Sequence, residues 1–373
     1  MNAMNQGKQM NAMTLREQFS LARSEGKRAK EAAESIGLSE GAAIAAHGGQ
    51  HDHALKAVAL RGPWIELLKA LEHCGPLMAL TRNESTVHEK TGVYQKLSVN
   101  GHIGLALGAE IDLRLFFDKW HAGFAVTEAA ANPGNPGQTS FQFFDAQGRA
   151  VHKIFAREAT NRSVWQAVVD TFGDPSLGYV FQKPMPLAPP KPDAQIDAQG
   201  FTDAWGNMTD THQFFGLLRQ YGVERQQGLR LVEGRFSQRV GTDALRAMLY
   251  DAALDGTPIM VFVGSAGCIQ IHTGPVKRIE PMEVKGKDAH APVIQWLNIL
   301  DPGFNLHLRE DLIANVWVVE KPTDDGVVTS LEAFDVNGDL MAMFFGARKP
   351  GKPELQAWRD ILSRLPRLEA VAA

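Results

Sequence analysis

The sequence predicts an α+β fold in which a domain with N-terminal helices and a large antiparallel β-sheet is duplicated in tandem. Three observations support this prediction: the two halves resemble each other segment by segment, alternating strand patterns dominate both, and helical patterns precede the strands in each. Strand–helix–strand units with glycine-rich phosphate loops are not found in the sequence. A doubly wound nucleotide-binding fold is therefore not expected.

The repeat consists of segments that occur in the same order in both halves. Paired segments lie roughly 190 residues apart, and the small changes in this spacing are of a size that loops absorb. The pairs are LMALTRNESTVHEKTG (77–92) with IMVFVGSAGCIQIHTG (259–274), IDLRLFFDKWHAGFAV (111–126) with FNLHLREDLIANVWVV (304–319), and SFQFFDAQGRAVHKIFARE (140–158) with SLEAFDVNGDLMAMFFGAR (330–348).

A proline-rich stretch at 182–200 separates the two halves. It contains few bulky apolar residues, which is typical of an extended spacer. The predicted organisation is a first repeat at 1–185, a linker at 186–200 and a second repeat at 201–373.

Local patterns assign the elements within each repeat. Leu113 and Leu115 alternate with polar neighbours, and the run 316–319 is rich in β-branched residues, so both segments are predicted strands. The D-x-x-G sequences that begin at Asp145 and Asp335 predict hairpin turns between strands. The predicted helical segments are LREQFSLARSEGKRAKEAAESIGLSEGAAIAA (15–46), MTDTHQFFGLLRQYG (208–222) and TDALRAMLYDAALDG (242–256).

The composition excludes several classes of protein. A net charge of −4 with 21% charged residues disfavours a nucleic-acid binder, which usually carries a basic face. The two cysteines, Cys74 and Cys268, lie outside any CxxC pattern, which excludes a thiolate zinc site, a disulfide scaffold and covalently attached c-type haem. Neither a secretory signal nor a run of about 20 apolar residues is found, so we expect a cytoplasmic protein without membrane insertion.

His212 lies at the start of a predicted helix. Asp210 and Gln213 predict a capping box that places His212 in the first turn, where the helix dipole favours a neutral ring. Neutral imidazole is the form that binds metals. The alternative is a histidine that simply bonds to a neighbouring backbone group.

The helix face that carries His212 also carries Phe215, Gly216 and Arg219. The glycine leaves room for a broad, flat ligand, and the aromatic ring can line it. A single histidine does not match zinc or non-haem iron sites, which use several protein ligands. Haem iron needs only one, because the porphyrin supplies the four equatorial nitrogens.

Several longer segments are specific enough to indicate a family. In the second half they are TDTHQFFGLLRQYGVERQQGL, PIMVFVGSAGCIQIHTGPVKRI, LNILDPGFNLHLRED and VWVVEKPTDDGVVTSLEAFD, and in the first half ALTRNESTVHEKTGVYQKL and IDLRLFFDKWHAGFAV. They resemble the cytoplasmic haemin-transport, or haemin-degrading, family of HemS/HmuS type. The resemblance covers nearly all of residues 15–365 and implies two similar halves with broad antiparallel sheets.

The resemblance implies a binding site for haem b, iron protoporphyrin IX. The iron-ligating histidine of the family's TD-x-H segment falls on His212. The arginine on the opposite side of the haem, which is also the candidate catalytic residue, falls on Arg114, with Phe116 lining that side. Basic groups near the haem propionates fall on Arg225, Lys321 and Arg348.

Two positions depart from the family pattern, and the repeat predicts an asymmetric site. Where the family often has a glutamine and a tyrosine, this sequence has Met343 and Phe345, so Phe345 lines the site without a hydroxyl group. The repeat alignment pairs Lys27 with His212, so the first half lacks its own ligand histidine. We therefore predict one principal site that uses the helix of the second half and a strand of the first.

The resemblance leaves two functions open. One is a haem-binding protein of bacterial iron acquisition that sequesters imported haem and delivers it. The other is a haem-degrading enzyme that opens the ring oxidatively and releases iron, with Arg114 acting on bound oxygen. The implied partners are haem itself, the haem-import permease and its ATPase, and a downstream haem oxygenase.

Two further segments give weaker signals. His47, His51 and His53 have metal-like spacing, but their glycine-rich setting predicts a mobile loop and at most an adventitious metal site, and His307 is a further candidate for a secondary site. The insert MEVKGKDAHAPVIQ (282–295) is a predicted surface loop.

Overall fold

The computed structural model describes residues 14–130, 137–186, 188–285, 292–349 and 351–368. Its helices and antiparallel strands confirm the predicted α+β class. The chain divides into two compact units. Unit 1 comprises Met1–Arg82, Glu89–Met185 and Gly264–Gln270, and unit 2 comprises Asn83–His88, Pro186–Val263 and Ile271–Ala373.

The helices are short and precede or follow the strands. Residues 14–24 are helical, and the later helices are α1 (Ala29–Ser35), α2 (Glu40–Ala45), α3 (Trp64–Ala70), α4 (Arg162–Phe172), α5 (Ala198–Gly206), α6 (Gln213–Tyr221), α7 (Arg225–Leu231), α8 (Ala244–Asp255) and α9 (Gln356–Ser363). Within the described ranges, no helix is long and apolar enough to cross a membrane.

The described residues form eighteen β-strands, nine in each half of the chain. In the first half they are β1 (Leu55–Leu60), β2 (Leu77–Arg82), β3 (Thr86–Gly92), β4 (Leu97–Asn100), β5 (Ile103–Leu107), β6 (Asp112–Phe116), β7 (Ala122–Glu128), β8 (Gln138–Phe144) and β9 (Ala150–Ala156). In the second half they are β10 (Ser237–Val240), β11 (Ile259–Gly264), β12 (Cys268–Gly274), β13 (Ile279–Val284), β14 (Ile294–Asp301), β15 (Phe304–Arg309), β16 (Asn315–Thr323), β17 (Gly326–Phe334) and β18 (Leu340–Gly346).

In unit 1, five antiparallel strands lie side by side in the order β1-β7-β8-β9-β2. Helices α1 and α2 pack on one face of this sheet over Phe124 and Phe144. Helices α3 and α4 pack on the other face over Phe141 and Phe143. Because both faces are covered, the last five residues of β8 are all buried rather than alternately exposed.

In unit 2, five antiparallel strands have the equivalent order β10-β16-β17-β18-β11. Helices α5, α6 and α7 pack on one face over Trp317 and Phe334. Helices α8 and α9 pack on the other face over Leu331 and Phe344. The shared strand order is the structural form of the duplication that the sequence predicts.

Each unit also includes a segment from the other half of the chain. Unit 1 takes Gly264–Gln270 and unit 2 takes Asn83–His88. In unit 1, the buried hydroxyl of Thr81 donates to Gln270 Oε1 at 2.9 Å and lies 2.9 Å from His152 Nδ1. These bonds tie the exchanged segment to the core of unit 1. The predicted domain boundaries assume contiguous repeats and do not include this exchange.

The prediction of an extended spacer at 182–200 is wrong at its C-terminal end. Helix α5 begins at Ala198, inside the predicted linker. The local cause is Asp197, whose Oδ1 accepts a hydrogen bond from the Gly200 backbone N–H at 2.9 Å and so caps the helix.

The predicted surface loop at 282–295 is also wrong at both ends. Strand β13 extends to Val284, strand β14 begins at Ile294, and these two residues pair in an antiparallel hairpin. Residues 286–291 of the insert lie outside the described residues.

Alanine at Gly148 is expected to destabilise the protein more than alanine at Gly338. Both glycines close D-x-x-G turns with positive φ, so alanine costs about 1 kcal/mol at each. At Gly148 an added Cβ would also overlap Ser39, the residue that caps α2, whereas the nearest atom at Gly338 is Gln226 Oε1 at 3.9 Å. Urea unfolding should show a loss of about 2–3 kcal/mol for Gly148→Ala and about 1 kcal/mol for Gly338→Ala. Equal losses would contradict this account.

Candidate functional site

His212 lies immediately before helix α6. The helix begins at Gln213, so His212 is the N-cap residue and the predicted position in the first turn is wrong. The backbone N–H groups of Gln213 and Phe214 donate to the carbonyls of Asp210 and Thr211 at 3.1 and 3.2 Å, so a tight turn precedes the α-helix. Asp210 Oδ1 caps this turn by accepting a hydrogen bond from the His212 backbone N–H at 2.8 Å. Gln213 Oε1 accepts from the Thr209 backbone N–H at 2.9 Å.

The carboxylate of Asp210 also fixes the imidazole ring of His212. Nδ1 of His212 lies 2.6 Å from Asp210 Oδ1, so Nδ1 carries the proton and donates it. In the neutral ring Nε2 then bears the lone pair, and 88% of the side-chain surface is exposed. The side chain therefore bonds to a carboxylate rather than to a backbone group, and it presents a nitrogen that is able to coordinate a metal.

The exposed side of α6 next to His212 carries an aromatic ring beside an open glycine position. The ring of Phe215 is exposed, and no atom lies within 4 Å of the place where a Cβ on Gly216 would stand. Arg219 is exposed one turn further on, as the helical spacing predicts. Phe214, in contrast, is buried and packs toward the sheet.

Beneath α6, Arg225 and Lys321 converge on a carboxylate that the sequence analysis did not identify. Glu332 is fully buried and accepts hydrogen bonds from Arg225 Nε at 2.8 Å, from Arg225 Nη2 at 2.7 Å and from Lys321 Nζ at 3.0 Å. The Ser330 hydroxyl donates a fourth bond at 2.9 Å. We call these residues, Arg225, Lys321, Ser330 and Glu332, the Glu332 cluster.

The Glu332 cluster remains charged although it is buried. Burial opposes the ionised form of Glu332, but Arg225 and Lys321 outweigh this effect and hold the pKa of the carboxyl well below its usual range. Burial lowers the pKa of Lys321. The negative charge of Glu332 raises this pKa, and the positive charge of Arg225 lowers it further. Arg225 and Lys321 are thus paired ions that share one buried carboxylate.

Both cations also contact the aromatic rings of α6. The Arg225 guanidinium lies 4.9 Å from the centroid of Phe214 and 5.7 Å from that of Phe215. Lys321 Nζ lies 4.8 Å from the centroid of Phe214. The helix that carries His212 therefore lies directly over the cluster.

The remaining predicted residues of unit 2 lie at the end of β18. Arg348 is half-buried and close enough to Asp210 to contribute to the lowering of its pKa, after the larger contributions of the His212 backbone and side chain. Phe345 is half-buried, and its ring centroid lies 4.9 Å from that of Phe262. Met343, where the family often has glutamine, accepts a hydrogen bond from Arg225 Nη2 through its sulfur at 3.0 Å.

Arg114 and Phe116 belong to unit 1. Both lie on β6, and Arg114 alternates with the buried Leu113 and Leu115, as predicted. The Arg114 guanidinium forms an ion pair with Asp112 on the same strand. Their assignment to the second haem face stays a prediction.

The first repeat has its own buried ion cluster, but with the opposite sign at the helix start. Glu40 is the first residue of α2, as Arg225 is the first residue of α7. Its carboxylate accepts from Lys153 Nζ at 2.5 Å and from Arg82 Nη2 at 2.5 Å.

The three clustered histidines of the first repeat do not form a metal site. His47 is buried and its Nδ1 donates to the Ala43 carbonyl at 2.8 Å, so the prediction of a mobile loop is wrong there. His51 Nε2 donates to the His47 carbonyl at 2.9 Å, and the rings of His47 and His53 are 6.1 Å apart. No group of three or more metal-binding side chains is arranged to hold an ion in the described part of the chain. His307, another predicted candidate, lies 2.8 Å from Asn298 Oδ1 through its Nδ1.

Comparisons with known proteins agree with these features. The chain is 37% identical over 363 residues to the hemin transport protein HmuS of Yersinia pestis, covering 95% of this chain and 98% of HmuS. It superposes on holo-PhuS, a heme-binding protein from Pseudomonas aeruginosa, with a TM-score of 0.87 and 42% identity, covering 96% and 99% of the two chains. It also superposes on ChuS, described as an E. coli heme oxygenase, with a TM-score of 0.80 and 35% identity, covering 93% and 99%.

The family model described as the haemin-degrading HemS.ChuX domain matches twice along the sequence. The matched residues are 37–172 and 222–365, one segment in each repeat. Together with the full-length similarity to HmuS, this match shows that the chain belongs to the haemin-degrading HemS/ChuX domain family.

Proposed function

We propose that this protein binds haem b that has been imported into the cytoplasm and delivers it for iron acquisition, with His212 Nε2 as the axial ligand of the iron. The observation that carries the proposal is the state of His212: exposed, oriented by Asp210 and with the lone pair on Nε2. The relatives named as hemin transport or heme-binding proteins support it.

The surroundings of His212 suit a porphyrin. One protein nitrogen is sufficient because the ring supplies the other four, and the open face formed by Phe215 and Gly216 admits a broad apolar ligand. Arg225, Lys321 and Arg348 supply positive charge for the two propionates. Phe345 lines the same site as an apolar contact, and Arg114 and Phe116 are proposed to face the second side of the haem.

Haem titration tests this function directly. Adding haem to the purified protein should give a saturable change in the Soret band at one haem per chain, with visible bands of histidine-ligated iron. Absence of a saturable change would contradict haem binding. The haem-import permease with its ATPase and a downstream haem oxygenase are the proposed partners, as donor and acceptor of the haem.

A second function is oxidative haem degradation. It is favoured by the similarity to ChuS, described as a heme oxygenase, and Arg114 is then the candidate catalytic residue. The test supplies the haem complex with an electron donor and oxygen in the presence of catalase. An open tetrapyrrole with released iron would support the enzyme, whereas product formed only without catalase would indicate attack by free peroxide.

Replacing Asp210 by asparagine is expected to weaken haem binding by about tenfold. The amide oxygen still accepts the bond from His212 Nδ1 but no longer supplies the negative charge that raises the basicity of Nε2. The dissociation constant from absorbance titration measures the effect, and Asp203→Asn, at an exposed acid on α5, is the control. Unchanged affinity in Asp210→Asn would show that the carboxylate does not assist the ligand.

A further inference from the structure

The Glu332 cluster contains more positive than negative charge. Two cations, Arg225 and Lys321, share the single carboxylate of Glu332, and Ser330 adds only a neutral hydroxyl. The side chains of Lys321 and Glu332 are almost completely buried, so water cannot screen the surplus. A buried surplus of one positive charge next to an open face attracts an anion.

The pairing geometry leaves part of Arg225 available. Glu332 engages its Nε and Nη2 atoms, and Nη2 also donates to Met343. Nη1 makes no hydrogen bond among the described residues, and 13% of the Arg225 side chain is exposed. The guanidinium also lies 5.7 Å from the exposed Phe215 ring, on the helix that carries His212. A carboxylate that reaches this edge would meet an arginine held in a fixed orientation.

We propose that Glu332 is the positioning residue for haem propionate recognition: it fixes the guanidinium of Arg225 so that the Nη1 edge meets a propionate, while Lys321 keeps the cluster positively charged. This inference rests on the proposed function. Without Lys321, Glu332 would neutralise Arg225 and cancel its attraction for an anion. Without Glu332, Arg225 would lose the bidentate contact that orients it.

The first repeat has the same balance of two cations to one carboxylate but places the carboxylate, not an arginine, at the helix start. Glu40 occupies the position of Arg225 at the helix start, and its carboxylate is taken by Arg82 and Lys153. Gln142 occupies the position of Glu332 in the repeat alignment, and its amide donates to Ser140. Helix α2 begins with glutamate where α7 begins with arginine, so propionate recognition of this kind is assigned to the second repeat alone.

The test compares haem with haem dimethyl ester, in which both propionates are esterified. The measured quantity is the ratio of the ester's dissociation constant to that of haem, for wild type, Glu332→Gln and Lys321→Met. We expect wild type to prefer haem by about 10- to 100-fold, and each variant to lose most of this preference while its affinity for the ester changes little. Glu320→Gln, an exposed carboxylate on the same strand as Lys321, is the control and should keep the preference.

Several outcomes would overturn the inference. Tighter haem binding by Glu332→Gln would show that Glu332 competes with the propionate instead of positioning Arg225. Equal losses for haem and ester would indicate a purely structural role. If Glu332→Gln does not fold, as judged by circular dichroism, Glu332→Asp keeps the charge and shortens its reach, and an unchanged preference in that variant would count against positioning. If wild type binds neither compound, the proposed function itself fails; if it binds both equally, only this inference fails.

Discussion

Replacing His212 by alanine is expected to lower the affinity for haem by about 100-fold or more, because the iron loses its proposed axial ligand. The effect on folding should be small, since the side chain is 88% exposed and, among the described residues, its side-chain hydrogen bond is to the exposed Asp210. Absorbance titration should show weaker binding and shifted visible bands. His73→Ala, which removes an exposed histidine from unit 1, should leave both unchanged.

The spectrum of the His212→Ala variant shows whether His212 or another residue binds the iron. If free imidazole restores the wild-type spectrum to His212→Ala, the ligand position is confirmed. If the untreated variant already has the wild-type spectrum and affinity, another residue binds the iron and the proposed site is wrong.

Replacing Glu40 by glutamine is expected to destabilise unit 1 by about 3–5 kcal/mol. The substitution leaves the buried Lys153 and the largely buried Arg82 without their common carboxylate. Urea unfolding followed by tryptophan fluorescence measures the loss. Glu34→Gln on α1 is the matched control, since its pair with Lys30 is exposed and should contribute less than about 1 kcal/mol.

The effect of Glu40 should depend on pH. Burial alone would raise its pKa, but Arg82 and Lys153 outweigh burial and lower the pKa from 4.5 to about 2. A depressed pKa means that the stabilisation, about 3 kcal/mol, is complete above pH 4.5 and is lost as the pH falls toward 2. The stabilities of wild type and Glu40→Gln should therefore converge in this window. A difference of the same size at pH 3 and pH 7 would contradict the assignment.

The local sequence pattern is sufficient to predict much of the fold and part of the candidate site. The alternation around Leu113 and the matched D-x-x-G turns depend on neighbouring residues, so sequence alone predicts them. The exposed face of Phe215 and Gly216 follows from helical spacing in the same way. The start of α6 is later than predicted because Gln213 and Phe214 bond to carbonyls three residues back, which forms a tight turn before the α-helix.

Features that join distant residues were not predictable from one sequence. Glu332 lies in a strand otherwise rich in apolar residues, and its partner Arg225 is 107 positions away. Nothing in the local pattern distinguishes such a carboxylate from a solvated one. The repeat alignment contains one signal. Glu332 aligns with Gln142 of the first half, so the second half has an acidic residue where the first has a neutral amide.

The exchanged segments have a consequence for how the protein is built during synthesis. The polypeptide of unit 1 is incomplete until residues 264–270 have been made, because Gln270 supplies a hydrogen-bond partner to the buried Thr81. A ribosome-bound chain that ends near Met185 therefore lacks this partner of Thr81, in spite of having a whole repeat. The duplicated halves are consequently not contiguous modules, since each compact unit includes a short segment from the other half of the chain.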